Sequence, residues 1–328
     1  MPSGRLPLIT AVQGGPEQHG TSAVASRDAE IYTRAVVFPF IQVGPLRLGS
    51  YGLMVWLAFL AAYFVLDADL RRRKLPSDAL NVILLLVVAG LAGSKLYHLL
   101  ETPSEFFADP FRLFFSSFGF AWFGGFLGGL AVLIWLAHHY RIPILTFLDA
   151  CSPAAALGYA IGRFGCLFSG DGDYGIATSL PWGMKFPPLD AGCRVHHFIC
   201  LVHGSLEPSY GATVGGTPAN AIVPVHPTPV YEFIVGGLIA WFLWRRGARH
   251  LQSKARAGEV LAQYLVLTGV ARFLVEFIRI NPRSAFGVLT NAQVVSILSI
   301  VAGMVLLLRS RADTETPSRK VADQVAKR

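Results

Sequence analysis

The chain is 328 residues long, 53% hydrophobic and only 15% charged, with a formal net charge of +8. A mean hydropathy of +0.50 is too apolar for a soluble domain of this size and fits a polytopic membrane protein. The positive balance reads as loop bias on one face of a membrane. No basic patch interleaved with aromatics points to nucleic acid as a partner.

Residues 1–35 are polar and contain no apolar signal-peptide core, so a disordered extension is expected there. Seven apolar spans follow, each near the roughly 20 residues that a bilayer requires. They are about Leu48–Leu66, Ala79–Leu100, Phe114–Ala137, Leu145–Phe168, Pro229–Trp244, Val260–Ile278 and Phe286–Leu308. Pro153 and many small residues interrupt the fourth, and the fifth is short. Arg71–Lys74, His138–Arg141, Arg245–Arg256 and Arg309–Arg311 fall on alternate connections, which places all four on one side. Positive charge marks the cytoplasmic side. The expected fold is therefore all-α, a membrane domain over 36–311 with seven transmembrane helices, N-terminus outside and C-terminus inside. The loop 169–228 then lies outside, and 312–328 is a solvated cytoplasmic tail.

Placed by depth, the unusual polar residues gather near the outer face. Tyr51 opens the first span, and Lys95, Tyr97 and His98 sit late in the second. Arg163 closes the fourth, His226 and Glu232 flank the start of the fifth, and Arg272 lies roughly 10 Å inside the outer end of the sixth. Nothing comparable is expected in the cytoplasmic half. An ionisable group in such a span is costly and marks a functional site by default. Arg272 and Glu276 share one helical face, and Arg279 continues the stripe. As a pair they read equally well as a structural tether. With Arg163 added, one guanidinium is in surplus, and at headgroup depth its natural partner is a lipid phosphate held in a forked geometry.

Gly162-Arg163-Phe164-Gly165 leads into Ser169-Gly170-Asp171-Gly172-Asp173-Tyr174-Gly175, a Gly-rich turn that permits close backbone approach. His226-Pro227-Thr228-Pro229-Val230-Tyr231-Glu232 opens the fifth span, where hydrogen-bonded structure is the commoner role of such residues. Gly124-Gly125 and Gly128-Gly129 in the third span are a helix-packing signal. The chain has four cysteines and no disulfide framework. Cys193 and Cys200 share the long loop, where an oxidising compartment would let them pair. With His196, His197 and His203 they match no common zinc spacing, so no metal is expected, and no cofactor.

Together these segments resemble the prolipoprotein diacylglyceryl transferases of the bacterial inner membrane. The resemblance spans about residues 36–309 and rests on Tyr51-Gly52-Leu53-Met54, the Gly-rich third span, Gly162–Gly165 with Gly170-Asp171 and Gly175, His226–Glu232, and Arg272–Arg279. It implies transfer of the diacylglyceryl group of phosphatidylglycerol to the cysteine thiol of a prolipoprotein signal peptide. It also implies a catalytic set of Tyr51, Arg163, Asp171, Arg272 and Glu276. Phosphatidylglycerol would be bound by Arg163, Arg272, Gly175, His226 and Arg279. The expected partners are that lipid, the signal peptides and bulk membrane lipids. Three positions depart from the family. Cys166 stands where the family usually has Asn, Phe123 where many members have His, and Asp171 where Glu is commoner, with one residue inserted before Gly175. His98, His226 and Asp171 all stay open as proton acceptors. A lipid-binding paralogue without this activity and a small-anion transporter are the alternative classes. The missing repeat and the off-centre polar groups weigh against transport.

The four basic clusters generate a direct test of topology. A reporter fused after Arg311 should be active only on the cytoplasmic side. Activity on the outer side alone would reject the orientation.

Overall fold

In a bilayer each backbone polar group must bond within its own segment, so the apolar stretches of this chain are helices. The computed structural model describes residues 40–43, 46–115, 121–169, 174–185, 213–214, 217–218, 224–253, 256–281 and 287–325. The expected extension over 1–35, Asp171, and the Cys193–His203 group lie outside them.

Strands β1 (Phe40–Val43) and β2 (Leu46–Gly49) form an antiparallel hairpin with Phe40 opposite Gly49. It leads directly into α1 (Ser50–Arg73), which closes on Arg71–Arg73, three cations at the negative end of the helix dipole. Asp78 caps α2 (Ala79–Glu101), its carboxylate accepting from the Leu80 amide at 2.9 Å. Two one-turn pieces, α3 (Pro103–Ala108) and α4 (Pro110–Phe115), connect to α5 (Trp122–His139) and α6 (Ile144–Ser169). Beyond α6 come short strands β3 (Met184–Lys185), β4 (Thr213–Val214), β5 (Thr217–Pro218) and β6 (Pro224–Val225). β3 pairs with β6 and β4 with β5. Helices α7 (Thr228–Ser253), α8 (Glu259–Val275) and α9 (Asn291–Val325) complete the fold. Thr290 and Gln293 cap α9 reciprocally, at 3.1 and 3.2 Å, as a T-x-x-Q sequence should.

Five helices, α1, α2, α5, α6 and the Asn291–Arg309 part of α9, are long and apolar enough to cross a membrane. The other two expected spans are the helices α7 and α8. α8 has only 17 residues, and α7 carries Glu232 near one end and Arg245, Arg246 and Arg249 near the other. Large apolar side chains such as Val88, Leu96, Phe64, Leu238 and Leu298 face outward, as lipid contact requires. The expected sixth span was too long. Its helix stops at Val275, and Glu276–Ile278 run on as turns. The segment expected as a solvated tail continues α9 as helix to Val325.

α1 lies along α6, α2 along α5, α7 along α6, and α8 along α9. The α2–α5 contact is made by backbone. A Cβ at Gly124 would overlap the Gly93 carbonyl oxygen and the Tyr97 Cβ, so only glycine fits. The α2–α5 pair joins the rest of the bundle through one buried cluster that includes Leu66, Leu70, Val82, Leu136, Phe147 and Ala150. All of these lie toward the basic ends of their helices.

That end also corrects the expectation that buried polarity is confined to the opposite half. Asp69 and Asp149 are fully buried there. Asp69 pairs with Arg72 and, at 2.9 Å, with Arg73. Asp149 accepts the amides of Gly258 and Leu261, each at 2.7 Å, and so caps α8 from a neighbouring helix. Arg246 and Glu259 pair beside it at 2.7 Å. Asp69 and Asp149 stand close to basic residues in sequence and read there as loop charge.

The glycine contact predicts a sharp asymmetry. Gly124→Val should lower stability by about 2 kcal/mol or more through overpacking. Gly129→Ala meets only the end of Leu86, at 3.6 Å, and should be neutral or stabilising. Thermal midpoints of the two detergent-purified variants check this, and equal midpoints would refute the packing.

Candidate active site

The site assembles at the ends of α6, α7 and α8 farthest from the basic clusters. Arg163 sits six residues before the end of α6, Glu232 is the fifth residue of α7, and Arg272 is the fourth from the end of α8. These elements converge on one carboxylate. Glu232 is 5% exposed, and its Oε1 lies 3.5 Å from Arg163 Nε and 3.4 Å from an Arg272 guanidinium nitrogen. Its Oε2 lies 3.2 Å from Arg279. The Tyr159 hydroxyl donates to the same Oε1 at 2.5 Å. A carboxylate buried this deeply needs such surroundings, because burial without counter-charge is strongly unfavourable.

Glu276 is the second anion. Arg272 reaches its Oε2 at 2.8 Å, the i,i+4 pair expected from the sequence. Arg279 Nε stands 3.7 Å from Glu276 Oε2, and Asn281 donates to Oε1 at 2.7 Å. Arg279 does not continue a helical stripe, since α8 has already ended. A short extended pairing with Gly175 places it instead. Ile176 donates its amide to the Ile278 carbonyl at 2.8 Å, and Gly175 donates to the His226 carbonyl at 2.9 Å. A Cβ on Gly175 would come within 2.6 Å of the Ile278 carbonyl oxygen and 2.8 Å of the His226 Cβ. Gly175 therefore acts through backbone proximity, joining the segment after α6 to Arg279.

Among the described residues, three guanidiniums thus meet two carboxylates, Glu232 and Glu276. Their exposures differ. Arg279 is 4% exposed, whereas Arg163 and Arg272 retain 17% and 23%. Arg163 and Arg272 keep part of their side chains exposed, and Arg279 is enclosed beside the acids. Arg163 also stacks over the Tyr159 ring at 4.9 Å and reaches the Cys166 sulfur at 3.8 Å. Cys166 thus stands directly beside the guanidinium. Tyr174, buried outside the spans, has its phenol pushed above the usual value by that burial and stays protonated.

Of the residues expected from sequence, Arg163, Arg272, Glu276 and Arg279 come together directly, and Gly175 and His226 form the adjoining strand corner. Tyr51 joins at the rim. It is 49% exposed, and its ring packs over Gly165, where a Cβ would lie 3.1 Å away. Asp171 lies outside the described residues. Phe123 sits on the separate α2–α5 pair, 6.4 Å from the Tyr97 ring. Sequence reasoning undervalued Glu232, which it noted only as flanking a span, and it missed Tyr159 and Asn281. Tyr159 had a signal, being one helical turn before Arg163. Asn281 had none, since it acts past the end of its helix.

Five helices of membrane-crossing length and a cluster of arginines and acids at one end of the bundle define a multi-pass membrane protein. Comparison with known proteins carries the identification further. The prolipoprotein diacylglyceryl transferase family model matches residues 39–309, and the chain belongs to that family of transferases. A phosphatidylglycerol–prolipoprotein diacylglyceryl transferase of Leptospira interrogans is 32% identical over 256 residues, 71% of each chain. One from Bifidobacterium longum is 30% identical over 288 residues, 84% of this chain and 85% of the relative. One from Clostridium tetani is 27% identical over 261 residues, 79% of this chain and 92% of the relative.

The hub role of Glu232 predicts an effect on stability apart from activity. Glu232→Ala leaves buried guanidiniums short of a counter-charge, which typically costs about 3–5 kcal/mol. A thermal midpoint unchanged from the parent protein would show that the three arginines do not depend on this carboxylate.

Proposed function

We propose that this chain transfers the diacylglyceryl group of phosphatidylglycerol to the lipobox cysteine thiol of prolipoprotein signal peptides, in the bacterial inner membrane. In that reaction a C–S bond forms as the C–O bond to the phosphate breaks. Glycerol 1-phosphate departs, and the thiol proton is taken up. The chemistry needs a thiolate nucleophile and neutralisation of the leaving phosphate.

The observation that carries this reading is the shared target of Arg163 and Arg272. Both reach one oxygen of Glu232, at 3.5 and 3.4 Å, while keeping exposed donor surface. Glu232 holds the two guanidiniums side by side before any ligand arrives, so a phosphate would meet preorganised donors. Glu276 and Arg279 support them from behind. Tyr51 at the rim and Asp171 complete the proposed catalytic set, and Gly175 and His226 line the headgroup side. Seven spans, N-terminus out and C-terminus in, put this cluster in the outer leaflet, where signal peptides emerge. In support, His138 and His139 at the end of α5, Arg245 and Arg246 in the far part of α7, and Arg309 at the end of the apolar part of α9 all lie away from the site.

A route for lipid follows from the packing. Among the described residues, the buried cluster joining α2–α5 to α1–α6 reaches toward the site no farther than Ala62, Ile83 and Ala154. Phe59, Leu86 and Val87 pack against that cluster on the side toward the site, and the proposed lipid entry lies between the two pairs beyond them. Cys166 and Phe123 favour a second reading, a paralogue that binds the lipid without transferring it. Each replaces a polar group of the family with a side chain that is a poor donor and no base at the required place.

Incorporation of labelled phosphatidylglycerol into a lipobox peptide by the purified protein separates the two readings. Arg163→Lys and Arg272→Lys keep the charge but lose the fork, and each should lower transfer at least about tenfold. Full activity of both variants would remove the arginines from the phosphate. Lipid binding without transfer by the parent protein would favour the paralogue.

A further inference from the structure

Beside the arginine cluster a chain of hydrogen bonds ends on an imidazole. Trp182, 54% exposed, donates its indole N–H to the Tyr231 hydroxyl oxygen at 2.8 Å. That hydroxyl lies 3.2 Å from His226 Nδ1. An indole nitrogen only donates, so the phenol oxygen is the acceptor of the first bond. The phenol proton then needs an acceptor, and among the described residues His226 Nδ1 is the one within reach. A ring nitrogen that accepts carries no proton, which leaves the neutral imidazole with its proton on Nε2. Backbone bonds hold the ring's position. The His226 amide donates to the Ile176 carbonyl at 3.0 Å, its carbonyl accepts from Gly175, and Gly175 is paired with Arg279. His226 is therefore tied to the same strand corner as Arg279.

We propose that Tyr231 is a positioning residue that fixes the His226 tautomer, so that His226 serves the site as an N–H donor to phosphate oxygen and not as the base that takes the thiol proton. This rests on the transferase reading above. Nδ1 is occupied by the phenol proton and Nε2 by its own, so the neutral ring in this network has no free lone pair for a thiol. A neutral N–H adds a directional bond to the phosphate without adding a further charge to the cluster. Trp182, at the outer end of the chain, links this setting to the surface where a substrate would arrive.

Two measurements test it on the purified full chain in lipid nanodiscs. ¹⁵N-histidine NMR at neutral pH should show His226 with a protonated Nε2 and a bare Nδ1, and Tyr231→Phe should mix the tautomers. A protonated Nδ1 in the parent protein would overturn the proposal. In the labelled-phosphatidylglycerol assay, Gln at position 226 can still donate near the Nε2 position but cannot act as a base. His226→Gln should lose less than about tenfold, His226→Ala clearly more, and the pH profile of His226→Gln should follow the parent's. A loss of about 10²–10⁴ in His226→Gln, with one limb of the pH profile gone, would make His226 the general base and reject the assignment. If the parent protein transfers no label at all, the transferase reading fails. The NMR result alone then decides whether the hydrogen-bond chain sets the ring.

Discussion

A carboxylate taken out of water must be answered by positive charge, and one end of this bundle is organised around that demand at Glu232. Three helices contribute to the answer: α6 with Arg163 and Tyr159, α7 with Glu232 itself, and α8 with Arg272 and, past its end, Arg279. The bonds are mutual. Each arginine is far enough from water to need an anion, and Glu232 is far enough from water to need them all. The arrangement fixes the relative positions of three helix ends more tightly than apolar packing alone does, because charge pairs tolerate only a narrow range of distances in a medium of low dielectric. A cluster tuned to itself in this way is also ready for an outside anion, which meets donors already aimed and spaced.

The opposite end repeats the logic with another purpose. Asp149 accepts two amides at the start of α8, and Asp69 is clasped between Arg72 and Arg73. Arg72 also lies over the Trp244 ring at 3.8 Å and donates to the Trp244 carbonyl at 3.1 Å, tying α1 to α7. Here the charges are spent within the protein. Asp69 holds two arginines of its own helix and Asp149 two amides of α8, whereas at the other end Glu232 draws in guanidiniums from α6, α8 and the turn beyond α8.

Arg163, Arg272 and Glu276 were legible in the sequence because charge in an apolar run is expensive and therefore conspicuous. The apolar spans were legible from their hydropathy: each contains a helix, and five of those helices are long and apolar enough to cross a membrane. Three things were not. Glu232 looked like one end of a His-to-Glu motif, and only the convergence of three helices makes it a hub. Arg279 seemed to lie on a helical stripe, but helix α8 ends at Val275 and a strand-like bond to Gly175 sets its position. Asp69 and Asp149 were hidden among loop cations, since periodicity does not tell whether a charge near a helix end turns inward. Each miss concerns where an element stops or which neighbour it meets, and both depend on tertiary contacts that local sequence does not encode.

The placement of the core also has a mechanical consequence. Among the described residues, the fully buried part of the cluster that joins α2–α5 to α1 and α6 ends at Ile83 and Ala154, with Leu86 and Val87 packed against it. From Val82 to Leu96 is about 21 Å along α2 at roughly 1.5 Å per residue. A tilt of about 5° at the gripped end moves the far end by about 2 Å, a lever of the length of the helix itself. The stiffness of that lever resides in Leu66, Leu136 and Phe147, which touch no part of the chemistry. Natural variation at those apolar positions would therefore tune how readily the α2–α5 pair tilts, while the arginines and acids stay as they are.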